Sequence, residues 1–362
     1  MSWNKLKRLH SASLPLLVAF LIGISVGGIY MRESLGKSPN EGHEFFGDRP
    51  LHVAGSNYFQ QQPWQYPVFD IEGYRYPEGG SLIYTDGIPI VAALIKLTHP
   101  LHGQILDYFD WYFVLCVGLQ ALVFVLLLRE FKITHWYGTL TGSILAACTP
   151  LLLYRHGHSA LGSHFLIILA LLIYLRSPKQ GSVWVWITQF SLLLAIALLV
   201  HPYLFFMVGI IFGTTYLRAI QKRKVSIRQT ILSCSGILVI LFGLMHITGH
   251  IRSGVAIGSS VGFGTYSMNL LSPIWPQLSG LAWWKNPVLD PTGFQYEGYA
   301  WMGAGLIFLC LMLIVCKPTQ VLSVIRKHII LSIVLAGLFV FSLSNKIRKS
   351  TRLNSSHHLT SR

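Results

Sequence analysis

Apolar runs long enough to cross a bilayer recur along the whole chain, separated by short polar intervals. About 20 apolar residues in helical conformation match the hydrocarbon thickness. The pattern predicts an all-α, polytopic membrane protein with nine spans, at about 14–30, 111–129, 136–154, 159–176, 183–200, 203–218, 229–248, 299–316 and 329–345. A further run, 87–101, is shorter and contains Pro89 and Lys96, so it is read as an interfacial or re-entrant helix. Two long polar stretches remain, 31–110 and 249–298.

Charge sets the orientation. If 87–101 does not cross, 15 of the 28 Lys and Arg residues fall in short segments on one side, with the basic N-terminus. Twelve of the 13 acids fall on the other, and Glu130 alone joins the basic side. Basic connections stay cytoplasmic, so the N-terminus is expected in the cytoplasm and both long polar stretches outside. The net charge of +15 therefore does not indicate nucleic-acid binding. Only 11% of the residues are charged, against about 25% in soluble domains. The five cysteines lie in or beside apolar runs without metal-type spacing and read as buried small residues.

The candidate chemistry collects on the outer side. Ten of the 15 histidines (His43, His52, His99, His102, His156, His158, His164, His201, His246 and His250) fall in outer loops or at outer span ends. Asp48 and His52 are four apart, beside Arg49-Pro50, which reads as a helix start. Asp48 is then either an N-cap or a general base partnered by His52. Asp86 precedes the interfacial helix and reads equally as its cap or as a ligand. Arg155, His156 and His158 lie between two spans, where an arginine serves as a phosphate ligand or snorkels to lipid headgroups. His201-Pro202-Tyr203 breaks an apolar stretch and marks an outer turn. The second outer loop holds Asn269, a group of tryptophans and Glu297, a second carboxylate or a plain cap.

The segments FFGDRPLHVAGSNYFQQQPWQYP, YRHGHSALGSHF, HPYL, GFGTYSMNLLSP and QYEGYAWMGAG resemble an uncharacterised bacterial family of polytopic membrane proteins, a domain of unknown function. That family is similar in layout to the GT-C membrane glycosyltransferases. The resemblance implies sugar transfer from a polyprenyl-phosphate donor at the outer membrane face. Asp48 best matches the first-loop catalytic carboxylate, with Glu33 the competing position. Asp48 and His52 become the expected catalytic residues. Asp86, Arg155, His156, His158, His201, Tyr203, Asn269 and Glu297 become the expected substrate contacts. No residue is assigned to a metal, although the histidines leave a divalent cation open. The implied partners are the lipid-linked sugar and membrane lipid.

Residues 1–348 are expected to form the GT-C-like domain. From Lys349 the chain reads KSTRLNSSHHLTSR, which departs from the family pattern and is read as a non-native tail on a C-terminally truncated chain. Two other functions stay open: a non-catalytic or transport partner in lipid-linked sugar assembly, and a metal-dependent outer-face enzyme. Span centres nearly free of ionisable groups weigh against transport.

Overall fold

The structure is a computed structural model, and it describes residues 3–35, 48–74, 76–251, 266–276 and 298–343. His43, Trp283, Trp284 and Glu297 and the tail 349–362 lie outside the described residues. The chain divides into two compact units, Met1–Cys148 with Leu152–Ser253, and Thr149–Leu151 with Gly254–Arg362.

In the first unit α1 spans Trp3–Tyr30 and α2 spans Arg49–Gln61. Strands β1 (Asp70–Ile71) and β2 (Gly80–Ser81) form a small antiparallel hairpin with Asp70 opposite Ser81. A 3₁₀ turn, Leu82–Thr85, leads to α3 (Pro89–His102). There follow α4 (Phe109–Glu130), α5 (Trp136–Ala147), the single turn α6 (Pro150–Leu153), whose first two residues group with the second unit, and α7 (Phe165–Arg176). The unit closes with α8 (Val183–Val200), α9 (Pro202–Gln221) and α10 (Ile227–Thr248).

Seven segments are long and apolar enough to cross a membrane: Ser13–Tyr30, Phe109–Glu130, Trp136–Gly157, Ser159–Lys179, Val183–Val200, Pro202–Gln221 and Ile227–Thr248. Their alternation puts the described parts of 31–108, the turn around 157 and the turn at His201 on one face. The connections near 131–135, 177–182 and 222–226 lie on the other. The run at 87–101 is a separate 14-residue helix, α3, flanked by two αL residues, Ile88 before it and Gly103 after it. Leu94, Leu97 and Leu101 form an exposed apolar stripe on it, while Lys96 is buried. The Lys96 ammonium lies 4.1 Å from the centre of the Phe59 ring and 4.7 Å from that of Trp64, and donates to the Pro63 carbonyl at 3.3 Å.

The second unit holds the last two expected spans in altered form. They are α11 (Ala304–Cys316), α12 (Pro318–Lys327) and α13 (Ile329–Ser342). Pro318 opens a new helix after Lys317, and α12 bends from α11 by 102°. Helices of 13 and 14 residues rise only about 20 Å, short of a bilayer core. Among the described residues seven segments are long and apolar enough to cross, or eight if the bent pair forms one span; the apolar pattern predicted nine.

Small residues set the helix packing, as expected where lipid removes the hydrophobic drive between helices. A Cβ on Gly23 would stand 2.5 Å from the Val117 carbonyl oxygen, and one on Gly27 3.1 Å from the Val114 Cα. So α1 lies directly on α4. Met31, Phe113, Val114, Val117, Ala121, Ala147 and Leu152 form the buried cluster beside that contact. Trp186 meets Phe212 and Tyr216 edge-on, and Phe190 meets Phe212 in a tilted contact, which packs α8 on α9. Local signals set the helix starts. Ser226 and Gln229 make a reciprocal capping box on α10, and the Ser182 hydroxyl accepts from Trp184 N–H on α8.

Candidate metal centre

The polar stretch before α4 folds over the ends of the spans and is tied there by hydrogen bonds. Gln60 on α2 donates to the Leu106 carbonyl at 3.0 Å and accepts from its N–H at 2.9 Å. Arg49 reaches Asp110 at 2.5 Å and Asp107 at 3.1 Å. The Tyr108 hydroxyl donates to the Gly87 carbonyl. These contacts fix the start of α2 and the turn before α3 against the start of α4.

The turn before α3 is strained. Asp86 and Ile88 both have φ near 50°, on either side of Gly87. For a β-branched residue such as Ile88 the left-handed region is a true outlier, costing on the order of 1–3 kcal/mol. The surroundings hold it: Ile88 is fully buried, and the Thr85 hydroxyl donates to the Leu82 carbonyl at 2.9 Å. Asp86 is thus not the N-cap of α3, a position taken by Ile88. The turn instead aims its carboxylate at three histidines.

Those histidines come from three other places in the chain. His201 Nε2 is 3.2 Å from Asp86 Oδ1. His52 Nε2 is 3.7 Å and His158 Nδ1 4.0 Å from Asp86 Oδ2. His52, in the first turns of α2, is 2% exposed, and its Nε2 is buried without a hydrogen bond. His158 occupies the break between two 3₁₀ turns that connect α6 to α7. One atom each from His52, Asp86 and His158 lie within 4.8 Å of one another.

The flanking groups complete the pattern of a metal site. His201 is the N-cap of α9, and its Nδ1 accepts the Tyr203 N–H at 3.1 Å. A neutral ring accepting at Nδ1 carries its proton on Nε2, so His201 donates to Asp86 Oδ1 and leaves Oδ2 for the cluster. His158 Nε2 faces Asp48 Oδ2 at 3.5 Å, and its Nδ1 faces inward. A ligating histidine usually presents its other nitrogen to a carboxylate in this way. Two imidazoles and one carboxylate match the three protein ligands of a catalytic zinc-type site.

Protonation agrees with that role. Burial pushes the Asp86 carboxyl up, but the hydrogen bond from His201 and the charges of His201, His52 and His158 outweigh it, so the net shift is downward. Burial lowers the His52 pKa, and the Asp86 charge offsets this only in part. Near neutral pH this leaves a carboxylate facing a neutral imidazole, the states that bind a cation.

The residues singled out from the sequence divide into three groups. Asp48, His52, Asp86, His158 and His201 converge. Asp48 occupies the N-cap position of α2 without a side-chain capping bond, and its exposed carboxylate faces His158 rather than His52. Tyr203 stacks edge-on against His201 at 4.8 Å. His156 is exposed and meets the Tyr30 hydroxyl at 3.3 Å, and Arg155 is half-buried in the same turn. Glu33 is exposed and stands 3.8 Å from Arg32. Asn269 belongs to the second unit, where its Oδ1 accepts the Leu271 N–H at 2.9 Å. Two pairs drew attention by spacing, Asp48/His52 and His156/His158. The cluster takes one member from each and joins them through Asp86. No local spacing encodes that triad; only a shared membrane face pointed to it.

Seven apolar helices carrying a His/Asp cluster at one face define a multi-pass membrane protein with a candidate metal centre. Residues 20–361 match the family described as a domain of unknown function (DUF6311), and the chain belongs to that family. No curated protein and no solved structure matches the chain.

Proposed function

We propose that the protein is a membrane glycosyltransferase that moves a sugar from a polyprenyl-phosphate donor to an acceptor at the outer face of the cytoplasmic membrane, aided by a divalent cation held by His52, Asp86 and His158. The observation that carries this reading is the convergence of Asp48, His52, Asp86, His158 and His201 from four separate segments on one face. The basic connections of the opposite face favour an outward-facing cluster. The reaction class rests on the resemblance of the sequence segments to a family similar in layout to the GT-C glycosyltransferases.

A cation held by His52, Asp86 and His158 would supply positive charge to the donor phosphate. His201 orients the Asp86 carboxylate. Asp48 accepts the proton of the acceptor hydroxyl as that oxygen bonds to the anomeric carbon. The bond from that carbon to the phosphate oxygen breaks, and its electron pair leaves with the polyprenyl phosphate. Arg155, in the same turn as His158, gives the phosphate a guanidinium partner.

Metal analysis of the purified protein after zinc or manganese loading is the first test, with one ion per chain expected and loss in Asp86→Asn. Transfer is then assayed in vesicles with a panel of polyprenyl-phosphate-linked hexoses and pentoses. Asp48→Asn should abolish transfer while keeping the ion. Full activity in that variant removes Asp48 from the mechanism. Donor binding without turnover in the wild type moves the protein to the non-catalytic or transport class.

A further inference from the structure

The opposite face carries a second built site. The end of α7, the start of α8 and the last turns of α9 line a half-open recess whose interior volume is about 10 Å³, room for about one water. Ser177, Trp186, Thr215, Arg218, Lys222 and Lys224 line it, and no acid does. Basic residues alone are expected on such a face, because positive charge collects in short connections. Arg218 goes beyond that expectation.

A span-end arginine ordinarily extends its head to the membrane surface. Arg218 turns inward instead and is only 8% exposed. Its guanidinium lies 4.7 Å from the centre of the Tyr174 ring, and Nη1 donates to the Tyr174 carbonyl at 3.3 Å. Its Nε is buried with no acceptor. Among the described residues no carboxylate pairs with Arg218, Lys222 or Lys224. Glu130 at the same face is engaged by Arg176 and Lys179, each at 2.7 Å. Lys224 donates to the Pro178 carbonyl at 2.5 Å, which ties the α9–α10 connection to the recess wall. A buried guanidinium without counter-charge is costly unless an anion meets it. Guanidinium with two ammonium groups at a span end matches a phosphate at headgroup depth.

We infer that this recess binds the phosphate of an anionic ligand, either a lipid headgroup or a soluble phosphate. The site is independent of the His/Asp cluster and of the reaction proposed there. Native mass spectrometry of the detergent-solubilised full chain tests it, with phosphatidylglycerol, phosphatidylcholine and inorganic phosphate as separate probes. One phosphate-bearing ligand per chain is expected. Its retention should fall at least tenfold in the double variant Lys222→Gln, Lys224→Gln, whose changed side chains are exposed and leave buried Arg218 in place. Retention of phosphatidylglycerol over phosphatidylcholine identifies a lipid source. Retention of inorganic phosphate without lipid identifies a soluble one. Absence of both ligands, or equal retention by wild type and double variant, overturns the inference.

Discussion

Gly55→Ala tests how the metal centre is built. Gly55 lies one turn after His52 on α2, facing the strained turn that carries Asp86. A Cβ at this position would stand 2.2 Å from Thr85 Oγ1 and 2.6 Å from Thr85 Cβ. Rotating the threonine does not relieve the second contact, and it gives up the hydrogen bond to the Leu82 carbonyl. Thr85 is 2% exposed and has little space to retreat. The helix must therefore move about 1 Å from the turn, at a cost of about 1–3 kcal/mol in stability. His52 moves with it, taking the His52 Nε2 to Asp86 Oδ2 distance from 3.7 Å toward about 5 Å. Two bonds of about 2.1 Å to one ion reach at most about 4.2 Å, so the ion loses one ligand. Zinc affinity should fall by at least about 100-fold, measured by competition with a chromophoric chelator in detergent. Thermal unfolding of the metal-free form measures the packing cost separately. Pairing the change with Thr85→Gly removes the clash and should restore affinity. Unchanged zinc affinity in a folded Gly55→Ala protein would refute the shared site.

The pH dependence follows from the same groups. His52 is held below its ordinary pKa by burial, so the unfolded chain takes up the proton first, and metal-free stability should begin to fall below about pH 6.5. Asp86, depressed overall, contributes stability that is lost only at lower pH, as its folded-state pKa is crossed. Thermal unfolding across pH 3–8 should show both stages, and His52→Phe should reduce the first; an unaltered first stage would exclude His52 as its source. Arg49→Ala leaves Asp107 and Asp110, 16% and 8% exposed, without their shared cation and should cost about 3 kcal/mol or more in thermal or denaturant unfolding. A loss under about 1 kcal/mol would mark the pair as solvent-screened.

Hydrophobic periodicity was enough to locate the seven long spans, because a bilayer imposes both length and composition on whatever crosses it. The same pattern separated α3 from the spans, since its short run contains a proline and a lysine. Where the pattern expected spans at 299–316 and 329–345, the structure has the short helices α11 and α13, with Pro318 opening α12 between them. Charge asymmetry assembled the candidate residues on one face before any contact was known. It could not choose among ten histidines, because membrane sidedness carries no distance information.

That choice belongs to tertiary structure. Helix α2 begins at Arg49, so Asp48 falls outside it and its carboxylate meets His158 instead of the nearby His52. The left-handed turn at Asp86, held against α2 where Gly55 admits Thr85, brings one carboxylate between His52, His158 and His201. The sequence by itself determined which segments enter the membrane and which polar residues share a face, because both depend on local composition. Packing decided which of those residues form a centre, because ligand geometry depends on angstrom-scale contacts between segments up to 150 residues apart.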